Sequence, residues 1–396
     1  MKDNLNCLVS DSIELSATAS GPLDGKTFVV KDCIAIADHT SSFGHPAWQA
    51  THDKSDKTAA VVEKLLIAGA NMAGLAKLDQ LTYSLTGNIS EDEPPLNSLY
   101  PDRFTGGSSS GSASAVAGEL VNFAVGTDTG GSVRIPSSAC GLYGIRPTYG
   151  RIDSTGVLPL ASTFDTIGLF AKDPVLLRDV FKVVATDPEK QATKITHLLI
   201  AVDSLAIVDP EVAEVVRQTA ERLGKALGIK VEELKSEALF GPAVSELFVR
   251  LQAREIWAAH AQWMTEHLHE LAPGVQDRLQ NLCMKYANSP ESEKRADLEA
   301  RQKYRQQFDA LVTPGTIIVK PVTPSLPPER KYGQNEPPVF RQKSFRLTAP
   351  AGAAGAPEVV IPVKTKCGLT FGVGLLGARG EDMALLQAAL KARGQD

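Results

Sequence analysis

The sequence predicts an α/β protein built on a layered sheet, and three observations carry that prediction. Short β-branched runs such as Thr27-Phe28-Val29-Val30 read as buried strands, and longer stretches such as Thr58 to Ala68 place apolar residues at helical spacing. From His197 onward the two patterns alternate: a strand in LLIAVD, a helix over Pro210 to Leu223, a strand over Ile229 to Leu234. Alternation of this kind is the mark of helices packed on a sheet.

Each element has its local reason. Lys31 closes the first strand, and Asp32-Cys33-Ile34-Ala35-Ile36 continues with little charge. The Thr58 to Ala68 helix stops at Gly69, and a strand over Asn71 to Leu75 follows. Two serine-glycine turns then lie between Thr105 and Thr148: GGSSSGSA at Gly106 to Ala113 and TDTGGSVRIP at Thr127 to Pro136. Between them, Ser112 to Gly118 is small and alanine-rich, a short helix with its N-terminus toward the first turn, and Leu120 to Gly126 reads as a strand feeding the second. Later come long helical stretches over Ile256 to Leu271 and Glu291 to Ala310, the charged part of the latter reading as a solvated face. Pro321 to Pro338 reads as an exposed loop bordering a pocket, and Asp382 to Arg393 as a last helix.

Composition bounds the function. The chain has 396 residues, 43% of them hydrophobic, enough for a large core. A net charge of −5 argues against a nucleic-acid or anionic-membrane surface, and no stretch approaches the length that spans a bilayer. The first residues, MKDNLNCLVSDSIELS, lack an apolar signal core, so a cytoplasmic address is expected. Five cysteines, with no CxxC spacing, suggest neither a disulfide framework nor a zinc site, and no metal or other cofactor is expected.

The two turns point to hydrolysis. Glycines before a serine let the chain bend sharply and leave backbone N–H groups uncovered, so a serine there can be both nucleophile and neighbour of an oxyanion. Serine needs a base. The seven histidines sit in a polar connecting stretch (His39, His45, His52) or scattered through the later half (His197, His260, His267, His269), with no Gly-x-Ser-x-Gly elbow to serve. A buried lysine loses its proton readily, and Lys31 at the end of an apolar strand fits; pattern alone also allows a solvated strand-edge lysine. Asp128 and Arg134 flank the second turn closely enough to bridge it, a brace being favoured over an Arg134 contact to an acidic substrate.

Three segments in order, GKTFVVKDCIAIAD around Lys31, TGGSSSGSASAVAG around Ser108 and VGTDTGGSVRIPSSACGLYGIRPTYGRI around Ser132, resemble the amidase signature family of amidohydrolases. The resemblance implies a single α/β/α domain around a mixed, twisted central sheet, spanning 1–396, with a signature core at 25–173, a variable region at 188–310, and closing strands and a C-terminal helix at 311–396. It places the family's late strand and proline turn at Leu311 to Pro314, and its closing strands at Ala349 to Pro357, Val359 to Pro362 and Leu369 to Leu376. It also implies a Ser-cis-Ser-Lys triad: Ser132 as acyl-forming nucleophile, Ser108 as the bridging serine after a cis peptide bond, Lys31 as base. The N–H groups of Thr129, Gly130, Gly131 and Ser132 become the oxyanion donors. Ser109 is left as a turn serine with an auxiliary substrate-binding role open, and Tyr83 as either a wall of the acyl pocket or a buried structural tyrosine.

The early lysine, the STFDTIG run at Ser162 to Gly168 and PSSACGLYGIRPTYG look most like short amidases of the indole-3-acetamide hydrolase type. The expected substrate is therefore a small carboxylic amide, aryl-acetamides included, that releases ammonia. Two alternatives stand beside it: the glutaminase subunit of a tRNA-dependent amidotransferase, and a non-catalytic amidase-like binding domain. Long N-terminal helices that support a homodimer in several members are missing ahead of Lys31, which leaves a homodimer open.

Overall fold

The computed structural model describes residues 2–10, 12–90, 92–187, 192–365 and 367–393. Pro188, where the variable region was expected to begin, and the two terminal residues lie outside them.

Ten strands form one mixed sheet: β1 (Thr27–Lys31), β2 (Asn71–Ala76), β3 (Phe123–Asp128), β4 (Tyr143–Arg146), β5 (Thr166–Ala171), β6 (His197–Ala201), β7 (Val231–Leu234), β8 (Thr316–Pro321), β9 (Glu358–Lys364) and β10 (Thr370–Gly377). Their spatial order is β2-β1-β3-β5-β4-β9-β10-β8-β6-β7. The two ends are parallel, β1 with β2 and β3, β6 with β7 and β8, while the middle is antiparallel. Both faces are covered. Phe28 and Val30 of β1 enter one apolar cluster while Val29 between them enters another, with Ala113 and Val116 of the helix Ser110–Ala117. Continuous burial of this kind is what a two-sided layered sheet requires of its strands.

Several expected elements hold with shifted ends. The helix expected over Thr58 to Ala68 runs Ala60–Ile67, while the last keeps its expected bounds, Asp382–Arg393. The helix anticipated from Ile256 begins earlier, at Pro242, and runs to His267. Two expectations fail. Leu311 ends the helix Glu291–Leu311, and the strand comes after it as β8. Ala349–Ala354 closes the helix Pro338–Ala354 instead of forming a strand, because a run of small apolar residues suits a buried helix face as well as a strand. The Pro321 to Pro338 segment is only partly exposed, with Thr323 and the Glu336 side chain buried.

Candidate active site

β1 and β3 are adjacent and parallel, so their C-terminal ends deliver Lys31, Thr127 and Asp128 to one edge of the sheet. This is where an open α/β sheet places its ligands. Lys31 is fully buried, and its Nζ donates hydrogen bonds to Ser108 Oγ at 2.7 Å and to Thr127 Oγ1 at 2.8 Å. Burial pushes the Lys31 ammonium below the ordinary lysine value, against the opposite pull of Cys33 and the carboxylates of Asp79, Asp165 and Asp128. The amine therefore sheds its proton more easily than a surface lysine does.

Ser108 follows a cis peptide bond from Gly107 and lies just ahead of the helix Ser110–Ala117. The second serine loop touches the first through Ser109 N–H, which donates to Ser132 O at 3.3 Å. Ser132 is buried, and among the described residues its hydroxyl makes no hydrogen bond to that of Ser108. Gly131 sits at φ +129°, a conformation closed to other residues, and leads directly into Ser132.

One acid organises this loop. Asp128 Oδ1 accepts Gly131 N–H at 3.0 Å, Oδ2 accepts Val133 N–H at 3.1 Å, and Arg134 grips both oxygens with Nε at 3.0 Å and Nη2 at 2.8 Å. Arg146 Nη1 adds a contact at 3.1 Å, and Arg134 Nη1 reaches across to Glu358 of β9 at 2.6 Å. Burial alone would raise the Asp128 carboxyl, but the Arg134 and Arg146 guanidiniums and the loop N–H groups hold it well below the usual carboxylate range. Arg134 is consequently a loop brace and is not free to meet a substrate.

One sequence expectation changes here. The Gly131 N–H is already committed to Asp128, which leaves the N–H groups of Thr129, Gly130 and Ser132 unengaged among the described residues. The Ser109 hydroxyl is engaged within the fold, its Oγ donating to Thr127 O at 3.3 Å and accepting Thr127 N–H at 3.4 Å. Tyr83 is buried, its hydroxyl accepting from Cys283 Sγ at 3.7 Å, with Arg278 at 5.2 Å and Arg341 at 5.4 Å from the ring centre. None of the seven histidines hydrogen-bonds to Ser108 or Ser132; His260, for one, faces Pro159 O.

Sequence reasoning missed other parts of the site. Thr127 was visible as the residue before Asp128, but nothing marked it as the second partner of Lys31. Thr129 Oγ1 donates to the half-buried Asp165 of the STFDTIG run, and Thr348 Oγ1 donates to Gly130 O at 2.6 Å. Phe345 and Phe248 press on Gly130 from helices far along the chain, so closely that a Cβ there would lie 2.7 Å from the Phe345 ring.

Fold and site together define the class, a hydrolase of amide C–N bonds: the chain belongs to the amidase family, whose model matches residues 10–386. It is 34% identical to Amidase 1 of Oryza sativa subsp. japonica over 92% of this chain and 89% of that one. Amidase 1 of Arabidopsis thaliana is 32% identical over 95% and 94% of the two chains. A solved amidase crystal structure superposes with a TM-score of 0.83 at 27% identity, covering 95% of this chain and 86% of the other. Among the described residues no helix is long and apolar enough to cross a membrane.

Proposed function

We propose that the protein hydrolyses a small carboxylic amide with an apolar acyl group, an aryl-acetamide such as indole-3-acetamide being the representative case, through an acyl-enzyme on Ser132. The observation that carries this reading is the buried Lys31 amine 2.7 Å from Ser108 Oγ, beside the Ser132 loop. With Thr127 taking one N–H, the lone pair of a neutral Lys31 is directed at Ser108. Ser108 passes its proton to Lys31 as it receives that of Ser132, whose hydroxyl turns toward it. The Ser132 oxygen then bonds to the amide carbon. The resulting oxyanion is met by the N–H groups of Thr129, Gly130 and Ser132; one such donor is typically worth about 3 to 4 kcal/mol. The C–N bond breaks, ammonia leaves with the proton that Lys31 returns through Ser108, and water cleaves the ester to the carboxylic acid.

The apolar acyl group follows from what surrounds Gly130. Phe345 and Phe248 belong to one buried cluster with Leu85, Ile135, Phe164 and Leu251. Free glutamine, whose acyl group carries the charged α-ammonium and α-carboxylate, would leave those charges unsolvated against these rings. Ammonia release from a panel of amides by the purified chain tests the proposal, aryl-acetamides being the expected substrates and glutamine inert. Ser132→Ala should abolish both turnover and the mass increase on fluorophosphonate treatment; retention of either would remove Ser132 from the nucleophile's place.

A further inference from the structure

Asp79 lies on the segment that leaves β2, and because β2 runs parallel beside β1 with Ala76 opposite Lys31, it emerges at the same edge of the sheet as the lysine. It is buried and touches the Ser108 loop twice. Its backbone N–H donates to Ser108 O at 3.2 Å, and its carboxylate packs on Gly107 so tightly that a Cβ there would fall 2.0 Å from Oδ2. The same carboxylate accepts Ile89 N–H on Oδ1 at 2.9 Å and Gly87 N–H on Oδ2 at 3.0 Å. Two more backbone bonds close the wrap: Gly107 N–H to Leu85 O at 3.0 Å and Gly111 N–H to Lys77 O at 3.0 Å. The segment 77–89 is therefore a collar around residues 107–111, and Asp79 is the only acid in it.

We propose that Asp79 is a positioning residue of this site, whose ionised carboxylate holds the collar against Gly107 and thereby keeps Ser108 in line with Lys31. The inference rests on the reading of Lys31 and Ser108 as base and bridge. An ionised carboxylate accepts the Gly87 and Ile89 N–H bonds at full strength; protonation puts a hydrogen on an oxygen that already faces Gly107 and a donor, and the collar loosens. Burial pushes this carboxyl up to about 6, and the Glu336 carboxylate adds to that, while the Ile89 and Gly87 N–H groups and the Ser84 hydroxyl oppose it. The cations that feel its charge are Lys31 and Arg278. Ionised above that pH and neutral below it, Asp79 gives catalysis an acid limit of its own.

The pH dependence of fluorophosphonate labelling at Ser132 tests this without any amide substrate, followed by kcat and KM on an aryl-acetamide. Asp79→Asn should slow labelling and kcat by about a hundredfold, the scale of a slightly misplaced catalytic group, at every pH and without a step near 6, while KM stays within about twofold. Full rate with the acid limit merely moved to lower pH would show that Asp79 acts only through the charge on Lys31, and would overturn the positioning role. Ser84→Ala is the milder variant should Asn at 79 not fold. It removes a nearby hydroxyl that favours the ionised carboxylate and should move the acid limit upward by about 0.5 to 1 pH unit. An unmoved limit there also overturns the proposal. Wild-type protein that does not label at Ser132 would take down the parent reading and this one with it, whereas normal labelling with unmoved limits takes down only the role of Asp79.

Discussion

Arg134 and Asp128 form a two-pronged ion pair, Nε to Oδ2 at 3.0 Å and Nη2 to Oδ1 at 2.8 Å, with both side chains wholly withdrawn from water. Removing Arg134 leaves Asp128 with the single contact to Arg146 and the loop N–H groups, and breaking a buried pair typically costs about 3 to 5 kcal/mol. Arg134→Ala should therefore lower the unfolding free energy by an amount in that range and abolish activity. Arg134→Lys should recover only part of either, because an ammonium cannot span both oxygens. An unfolding free energy within about 1 kcal/mol of wild type, measured by urea unfolding, would contradict the bracing role, since about 1 kcal/mol is the effect of an ordinary substitution.

Lys31 gives a prediction whose sign follows from its burial. Burial lowers its proton affinity, and in the proposed mechanism the neutral amine is the working form, so the acylation rate should rise with pH as Lys31 deprotonates and level off above that point. Lys31→Arg keeps the positive charge but supplies no base, since a guanidinium stays protonated. Acylation should fall by at least about a hundredfold and lose that rise, as stopped-flow or timed mass spectrometry will show. A variant with the wild-type pH dependence would acquit Lys31.

Thr127→Val keeps the shape of the second Lys31 partner and deletes its hydroxyl. The amine then loses the acceptor that orients it, and kcat should fall by about tenfold with the unfolding midpoint little changed. Parallel steady-state kinetics and thermal melts separate this from general destabilisation.

Phe345→Ala should open the space beside Gly130. The preference for phenylacetamide over acetamide, taken as a ratio of kcat/KM, is expected to drop by at least about tenfold, because the ring contributes contacts that only the larger acyl group can use. An unchanged ratio would place the acyl group elsewhere.

What the sequence made legible was whatever is written within a few neighbouring residues. The TFVVK strand with its terminal lysine, the glycine pairs ahead of Ser108 and Ser132, and the Asp128–Arg134 spacing are all short-range patterns, and the structure puts them at one edge of the sheet. Asp79, Thr348 and Phe345 were invisible because their meaning lies in what they touch far along the chain. The start of the helix Pro242–His267 was legible and overlooked: Val244, Leu247, Phe248 and Leu251 stand at i, i+3, i+4 and i+7 and are all buried, a helical stripe that follows directly on Pro242 at the first position. The Ala349 to Pro357 misreading has a different root, a run too uniformly small and apolar for periodicity to decide.

Arg134 reaches from the Ser132 loop to Glu358 on β9, and Lys320 of β8 meets the same carboxylate. A ribosome making this protein must therefore release the chain past Glu358 before the anchor of that loop exists. Until then the growing polypeptide holds the Ser132 loop without the framework that aims it, so on the proposed reading a nascent chain is idle toward amides until β9 has emerged.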